Sequence, residues 1–134
     1  MGQPFTTPIE LRFSDLDLYG HVNSVVYFSF IETARVRFFR SFFHELAEKH
    51  IFTLVAHAEC DYRIQILPGN KVVISVVVSR IGTTSFDLDY RIYDGAEKTY
   101  ATARTTIVCY DNEKKTAVPV PECIRGMVLE SRHD

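Results

Sequence analysis

The 134-residue sequence has no tryptophan, only three cysteines and no long hydrophobic run. A helix that spans a bilayer needs roughly 18–20 consecutive apolar residues, so the sequence predicts no transmembrane helix and no membrane partner. Residues 1–8 lack the basic and apolar regions of a secretory signal peptide. The cysteines, at positions 60, 109 and 123, form no Cys-x-x-Cys pair. That spacing argues against a disulfide scaffold or a zinc site and for a reducing, cytoplasmic location.

Charge of either sign is also limited. Fifteen Lys and Arg residues against 17 Asp and Glu residues give a net charge of −2. No basic cluster is present to neutralise phosphates, which disfavours nucleic-acid binding as the main task. The chain suits one compact domain, residues 1–134, large enough to fold without a disulfide or a metal. Aromatic residues are abundant instead, with 10 Phe and 7 Tyr, and six of the Phe lie between positions 28 and 43.

The first half of the chain predicts a strand, a loop and a long helix. Apolar and polar residues alternate over 5–13, which predicts a strand. The polar stretch 14–20 ends in glycine and predicts a loop. Residues 24–48 contain no Gly or Pro and follow Asn23, a favoured N-cap residue, so a long helix is predicted from Ser24 to Glu48.

Placed at 100° intervals, the helical residues form a wide apolar arc with two polar residues at its flank. The apolar positions are Tyr27, Phe30, Ile31, Ala34, Phe38 and Phe42. An arc of this width indicates a helix largely enclosed by other structure. Glu32 and Arg35 project from the flank and, being three positions apart, can pair with each other.

Four strands are predicted between Ile51 and Asp111. Apolar residues alternate with polar ones from Leu54 to Ile66, and the following strands are separated by short turns, of which Asp94-Gly95 is a strong hairpin signal. One or two helical turns are predicted near the C-terminus. The element order indicates an α+β fold in which one helix packs on one face of a five-stranded antiparallel sheet. Because a single helix cannot cover such a sheet, edge-to-edge pairing with a second copy is expected.

One segment concentrates groups that can act on a carbonyl. Residues 15–24 bring two carboxylates, Asp15 and Asp17, and the imidazole of His21 to the predicted start of the helix. The unpaired N–H groups of a helix N-terminus can hold a developing oxyanion, and a nearby carboxylate can attack a carbonyl or activate water. These parts suit acyl transfer. The alternative interpretation is structural: the aspartates form turns and Asn23 only caps the helix.

A second polar cluster does not predict a metal site. On a strand, His57, Glu59 and Asp61 share one face with Arg63 and Gln65, so a solvated sheet face is expected. The sequence also lacks a nucleophile elbow, a P-loop and a His-Glu-x-x-His motif. No metal and no separate cofactor are predicted.

The stretch Phe13–Arg35, FSDLDLYGHVNSVVYFSFIETAR, resembles the signature of hotdog-fold acyl-CoA thioesterases. In the 4-hydroxybenzoyl-CoA thioesterase-like branch the pattern is Asp-x-Asp-x-x-Gly-His-Val-Asn-Asn, followed by Tyr and by Glu-x-Ala-Arg. The stretch Tyr62–Gly69 resembles the family's Tyr before a Pro-Gly pair, and the order of elements agrees over essentially the whole chain. The resemblance implies a hotdog fold with one long central helix on a five-stranded antiparallel sheet. It also implies hydrolysis of an acyl-CoA thioester to free acid and CoA.

The resemblance also implies roles for individual residues. Asp17 matches the family's catalytic carboxylate, which acts as a nucleophile or as a base for water. His21 matches the histidine that orients water or substrate. Ser24 lies where the helix N-terminus offers a backbone N–H to the thioester oxygen, although the family more commonly has a second Asn there. The matching substrate-binding positions are Asn23, Tyr27, Glu32 and Arg35.

Similar proteins are dimers through a continuous sheet, often paired again into tetramers, with active sites at the dimer interface. The resemblance therefore implies a homodimer and a dimer of dimers for this chain. It also implies that CoA phosphates lie near basic side chains, for which Arg63, Lys71, Arg80 and Arg104 are candidates by charge alone. Metals and prosthetic groups are not implied.

Two other functions fit the same sequence. A hotdog hydratase or dehydratase acting on enoyl or hydroxyacyl thioesters pairs a His with an acidic residue, as Asp17 and His21 do superficially. A non-catalytic acyl-CoA binding protein would keep the fold without cleaving the thioester. The acyl group is not specified, although the Phe cluster favours an apolar or aromatic one. Phe39 and Phe43, beside Glu32, are predicted to face a partner subunit or the acyl chain.

Overall fold

Helix α1 packs against one face of an antiparallel sheet in this computed structural model, which describes residues 4–131. The strands run in the order β1-β3-β4-β5-β2, and a two-residue strand, β6, pairs with the end of β5. Their bounds are Phe5–Ile9 (β1), Ile51–Tyr62 (β2), Val72–Ile81 (β3), Ser85–Tyr93 (β4), Thr99–Asp111 (β5) and Thr116–Ala117 (β6). The helices are Val26–Phe39 (α1), Phe43–Glu48 (α2) and Glu122–Ser131 (α3). The expected α+β architecture is confirmed, with β6 as an addition.

The hydrophobic core lies between α1 and the inner face of the sheet. Each of the central strands turns alternate apolar residues inward, as period-2 patterning requires. On α1 the apolar arc is buried as predicted: Tyr27, Phe30, Ile31, Ala34 and Phe38 are all at most 5% exposed. The helix is therefore fixed along its length, and its N-terminus is held at a defined place beside the sheet.

The prediction of a single helix from Ser24 to Glu48 is wrong about where α1 begins and where it ends. The helix starts at Val26, and residues 40–42 form a 3-10 turn before α2. A 3-10 turn has three residues per turn instead of 3.6, so the helical phase changes after Phe39. Phe39 is buried and its ring meets that of Phe86 on β4 at 6.1 Å, edge to face. The prediction that Phe39 faces a partner or an acyl chain is therefore wrong, whereas Phe43, which is half exposed, remains a prediction.

Strand β2 lies at one edge of the sheet and contains a β-bulge. Its register against β5 shifts at Ala56, which has no partner. Before the bulge, Leu54 lies opposite Val108 on the outer face of the sheet, and after it Ala58 lies opposite the buried Thr105 on the inner face. A bulge inserts one residue and reverses the facing of all that follow. The prediction that Leu54 and Ala58 share one face is therefore wrong.

The outer face of the sheet carries paired charges. Arg80 donates two hydrogen bonds to the carboxylate of Asp87, at 2.9 and 3.2 Å. Arg104 donates two to Asp89, at 2.7 and 3.0 Å. The hydrogen bonds from Arg80 hold the pKa of Asp87 below its usual range despite the opposing effect of burial. This face is thus organised by cross-strand ion pairs, away from α1.

The polar cluster of His57, Glu59 and Asp61 lies on this outer face. His57 Nε2 is 2.9 Å from Glu59 Oε1, and both side chains are more than half exposed. Asp61 is exposed as well. The predicted solvated sheet face is confirmed for these three residues, whereas Arg63 and Gln65 lie after the end of β2 and line a cavity described below.

The end of the described chain forms a longer helix than predicted. Helix α3 has 10 residues instead of one or two turns, and Ile124 on it is fully buried. Within residues 4–131, none of the helices has both the length and the apolar composition needed to cross a membrane.

The three cysteines carry free thiols. Cys109 is fully buried, and burial raises its pKa to about 11. Cys60 and Cys123 are partly buried. All three are at least partly buried and serve as small apolar residues.

Candidate active site

The loop between β1 and α1 is built on a buried aspartate. The side chain of Asp15 is 1% exposed and accepts hydrogen bonds from the backbone N–H of Arg12 at 2.8 Å and from its guanidinium at 3.1 Å. The carbonyl oxygen of Asp15 accepts the N–H of Asn23 at 2.9 Å. Gly20 has φ +84°, a left-handed conformation that favours glycine. The loop therefore folds back on itself and returns the chain to the start of α1.

Asp17 sits inside this loop and faces His21. Its Oδ1 accepts the N–H of Tyr19 at 2.9 Å and the N–H of His21 at 3.4 Å, while its Oδ2 lies 3.3 Å from Nδ1 of His21. Burial acts to raise the pKa of Asp17, but the two backbone N–H groups and the charge of His21 outweigh it and lower the pKa. The ring of His21 stacks on that of Tyr19, with centroids 5.9 Å apart. Asp17 is therefore an ionised carboxylate with an oriented imidazole beside it.

The turn that leads into α1 leaves the backbone N–H of Ser24 unpaired within the described residues. The Asn23 side chain accepts the N–H of Val25 at 3.1 Å, and the Asn23 carbonyl accepts the N–H of Val26 at 2.9 Å. Asn23 thus caps this turn, although two residues earlier than an N-cap would stand, because Val25 holds that position. The N–H of Ser24 makes no hydrogen bond within the described residues. It is the donor that the family resemblance assigns to the thioester oxygen.

A cavity of about 380 Å³ joins these groups, a volume within the range of small-molecule sites, roughly 300–1,000 Å³. Its lining residues are Asp17, His21, Val22, Asn23, Ser24, Tyr27, Tyr62, Arg63, Ile64 and Gln65. Five of the seven site residues predicted from the sequence are therefore in one place. A carboxylate, an imidazole and an unpaired N–H around one cavity suit attack on a carbonyl group.

Four lining residues come from the end of β2 and the segment after it. Among them, the sequence predicts a role only for Arg63, by its charge. The most closely engaged is Tyr62, whose hydroxyl donates to the carbonyl oxygen of Ser24 at 2.7 Å. Its ring meets the buried ring of Tyr27 edge to face, with centroids 4.9 Å apart. The Tyr before the Pro-Gly pair is the only sequence signal for this contact, which joins residues 38 positions apart.

Glu32 and Arg35 lie elsewhere, beside a groove of about 290 Å³ between α1 and β2. None of the residues lining this groove lines the first cavity. The pair that the spacing of Glu32 and Arg35 allows is not formed, because Arg35 turns instead toward the buried Tyr90 and donates to its hydroxyl at 3.4 Å. Glu32 is exposed and makes no ion pair within the described part of the chain.

The four basic candidates for CoA phosphates separate clearly by position. Arg80 and Arg104 are held by aspartates on the outer face of the sheet. Arg63 is exposed and lines the cavity that contains Asp17, whereas Lys71 does not line it. Arg63 is therefore the cation that the fold places nearest the candidate chemistry. Among residues 4–131, no group of three or more His, Cys, Asp or Glu side chains is arranged to hold a metal ion.

Comparisons with known proteins identify the family of the chain. The family model of the thioesterase-like superfamily matches residues 11–128. The 1,4-dihydroxy-2-naphthoyl-CoA hydrolase of Synechococcus elongatus is 28% identical over 123 residues, covering 84% of this chain and 85% of that protein. The uncharacterized protein YsmA of Bacillus subtilis is 34% identical over 86 residues, covering 64% of this chain and 58% of that protein.

Comparison with a solved structure shows that the similarity extends to the three-dimensional fold. A thioesterase from Thermus thermophilus, complexed with coenzyme A and Zn, has a TM-score of 0.79 and 29% sequence identity to this chain, with 96% of this chain and 95% of that chain covered. The curled antiparallel sheet around one long helix is thus the hotdog fold. The chain belongs to the thioesterase-like superfamily, and thioester hydrolysis is the activity class that this membership supports.

Proposed function

We propose that this protein hydrolyses an acyl-CoA thioester to the free acid and CoA. The observation that carries the proposal is the convergence of three groups on one cavity: the ionised carboxylate of Asp17, the imidazole of His21 and the unpaired N–H of Ser24. A thioester carbonyl that accepts a hydrogen bond from Ser24 N–H becomes more electrophilic, and the same bond stabilises the oxyanion that forms on attack.

Asp17 supplies the attack by one of two routes. As a general base it takes a proton from water, whose oxygen bonds to the acyl carbon while the carbon–sulfur bond breaks, and the proton passes to the CoA thiolate. As a nucleophile its Oδ2 bonds to the acyl carbon and releases CoA, and water then cleaves the resulting anhydride. Both routes form their oxyanion at Ser24 and need Asp17 ionised, which its lowered pKa ensures.

His21 acts beside Asp17 in either route. Its stacking on Tyr19 and its 3.3 Å separation from Asp17 Oδ2 hold the ring in one orientation. An imidazole held in this way can orient the attacking water or the substrate.

The CoA end and the acyl end of the proposed substrate contact different residues. Arg63, exposed at the cavity and without an acidic partner among the described residues, is suited to a CoA phosphate. The aromatic pair Tyr27 and Tyr62 lines the cavity wall. A hydrolase of 1,4-dihydroxy-2-naphthoyl-CoA is among the relatives. The proposed acyl group is therefore either aromatic or a medium or long apolar chain.

The proposal includes a homodimer formed through β2, with a dimer of dimers as the larger assembly. Strand β2 is an edge of the sheet and exposes Phe52 and Val55, which are each nearly half exposed. The groove beside it also contains Phe28 and Glu32. An edge strand with apolar side chains favours pairing with the same strand of a second copy, and this would cover the groove next to the cavity.

The test is a thiol-release assay with a panel of acyl-CoAs, short, long and aromatic, the last including 1,4-dihydroxy-2-naphthoyl-CoA. The wild-type protein is expected to release thiol from at least one of them, and Asp17→Ala to lose that activity while still folded. Loss of an enoyl-CoA chromophore without thiol release would instead establish a hydratase or dehydratase. Tight binding of acyl-CoA without either reaction would establish a binding protein.

A further inference from the structure

Tyr62 holds the peptide group next to the unpaired donor. Its hydroxyl donates to the carbonyl oxygen of Ser24 at 2.7 Å. The N–H on the other side of the same peptide group belongs to Val25 and donates to Asn23 Oδ1 at 3.1 Å. Because a peptide group is planar and rigid, these two hydrogen bonds fix the Ser24–Val25 plane from opposite sides.

The peptide plane before Ser24 is held as well. The carbonyl of Asn23 accepts the N–H of Val26 at 2.9 Å, and the N–H opposite that carbonyl is the unpaired one of Ser24. Both planes that flank the Ser24 Cα atom are thus restrained. The direction of the Ser24 N–H then depends on how firmly these planes are held, since only two backbone dihedrals separate them.

The Tyr62 hydroxyl is itself held by the sheet. Tyr62 pairs with Ala101 of β5, and the N–H groups of the next two residues both donate to the carbonyl of Tyr100, at 2.8 and 3.0 Å. Its ring is braced edge to face by Tyr27, which is 3% exposed. Burial raises the pKa of Tyr62, so its hydroxyl keeps its proton and donates at neutral pH.

We propose that Tyr62 is a positioning residue for catalysis: through the Ser24 carbonyl it aims the Ser24 N–H at the thioester oxygen. The sheet, and not only α1, then sets the geometry of oxyanion stabilisation. This inference rests on the proposed thioester hydrolysis. It predicts an effect in the step where charge develops on the oxygen, with substrate binding little changed.

The test compares Tyr62→Phe, which keeps the ring against Tyr27 and removes only the hydroxyl, with Tyr110→Phe. Tyr110 lies on the outer face of the sheet, and its hydroxyl makes no hydrogen bond within the described residues. For each protein, the NMR order parameter of the Ser24 amide is measured along with kcat and KM for thiol release. Loss of one hydrogen bond is expected to lower the Ser24 order parameter and to reduce kcat about three- to tenfold, with KM changed less than about twofold. Tyr110→Phe is expected to match wild type in all three.

An unchanged Ser24 order parameter in Tyr62→Phe, or a kcat equal to that of Tyr110→Phe, would overturn the inference. A loss of activity that tracks only a smaller folded fraction, seen as equal kcat per folded protein, would also overturn it. Should the wild-type protein release no thiol from any acyl-CoA, the proposed function fails, and the order parameter alone then decides whether Tyr62 fixes the Ser24 amide.

Discussion

The carboxylate of Asp17 and the imidazole of His21 lie side by side in the cavity wall, with Oδ2 3.3 Å from Nδ1. Replacing Asp17 by Asn keeps the shape and removes the base and nucleophile, so kcat for thiol release should fall about 10²–10⁴-fold. KM should change little, because the amide fills the same space. Steady-state kinetics on the best acyl-CoA of the panel measure both values.

Asp61→Asn is the matched control for that variant. Asp61 is exposed on the outer face of the sheet and makes no hydrogen bond within the described residues. Its replacement should leave kcat unchanged. Equal activities of the two variants would remove Asp17 from the mechanism.

The lowered pKa of Asp17 determines how activity depends on pH. The group must be ionised to act, and its folded pKa lies below the ordinary value of 3.8. Activity that depends on the carboxylate is therefore fully present above 3.8 and is lost only as pH falls below that value. The profile of kcat/KM should show no acidic loss due to Asp17 between about pH 5 and 8. An acidic limb that lies within this range and shifts in Asp17→Glu would contradict the assignment.

Ser24 should act through its backbone and not through its hydroxyl. Ser24→Ala keeps the N–H and is expected to retain kcat within about twofold of wild type. Ser24→Pro removes the N–H at a position just before a helix, where proline is tolerated. Its kcat should fall about 10²–10³-fold, the usual cost of one oxyanion donor.

Circular dichroism and thermal unfolding show whether both Ser24 variants are folded. A folded Ser24→Pro protein with the activity of Ser24→Ala would mean that the oxyanion is stabilised by another group.

The ionisation of Asp87 makes the free energy of unfolding depend on pH in the acid range. Its pKa is lowered chiefly by hydrogen bonds from Arg80, so it stabilises the fold above the ordinary value of 3.8 and loses this effect as pH falls through the lower folded value. Asp87→Asn should reduce the free energy of unfolding at neutral pH by about 1–2 kcal/mol. The difference from wild type should shrink below pH 3.8. Urea unfolding at neutral and acid pH measures it, with Asp61→Asn as the control, and a difference that persists at acid pH would contradict the linkage.

The dimer proposed through β2 predicts that a charge on that strand separates the copies. Val55→Asp places a carboxylate at the groove, and the size measured by light scattering should fall from dimer to monomer. Leu67→Asp is the control, since Leu67 is as exposed (47% against 46%) but lies in the turn after β2. A pair of variants with equal mass would rule out this edge as the interface.

Sequence reasoning succeeded where a property is local. Period-2 alternation predicts β3 to β5 because each residue's facing depends only on its neighbours. The Asp17–Ser24 segment was predicted together because a short loop before a helix keeps its residues close, and the structure does gather them around one cavity.

The incorrect predictions concern features that the local sequence pattern does not determine. The bulge at Ala56 reverses the facing of β2, and nothing in the local pattern announces it. The sequence allows Arg35 to pair with Glu32 on its own helix, but Arg35 donates instead to the hydroxyl of Tyr90, which is 55 residues away in the chain. Tyr62 could not be assigned to the site because its contact with Ser24 exists only once β2 and α1 are packed together.

The open edge of the sheet also affects the tendency of the protein to aggregate. One side of the 12-residue backbone of β2 has no strand beside it within the described chain. Such an edge accepts any extended segment, in or out of register, and so invites aggregation. A second copy that closes it in register would prevent this, so a loss of the dimer at a fixed protein concentration, without an added charge on β2, should promote aggregation. Assembly would then preserve solubility as well as cover the groove beside the active site.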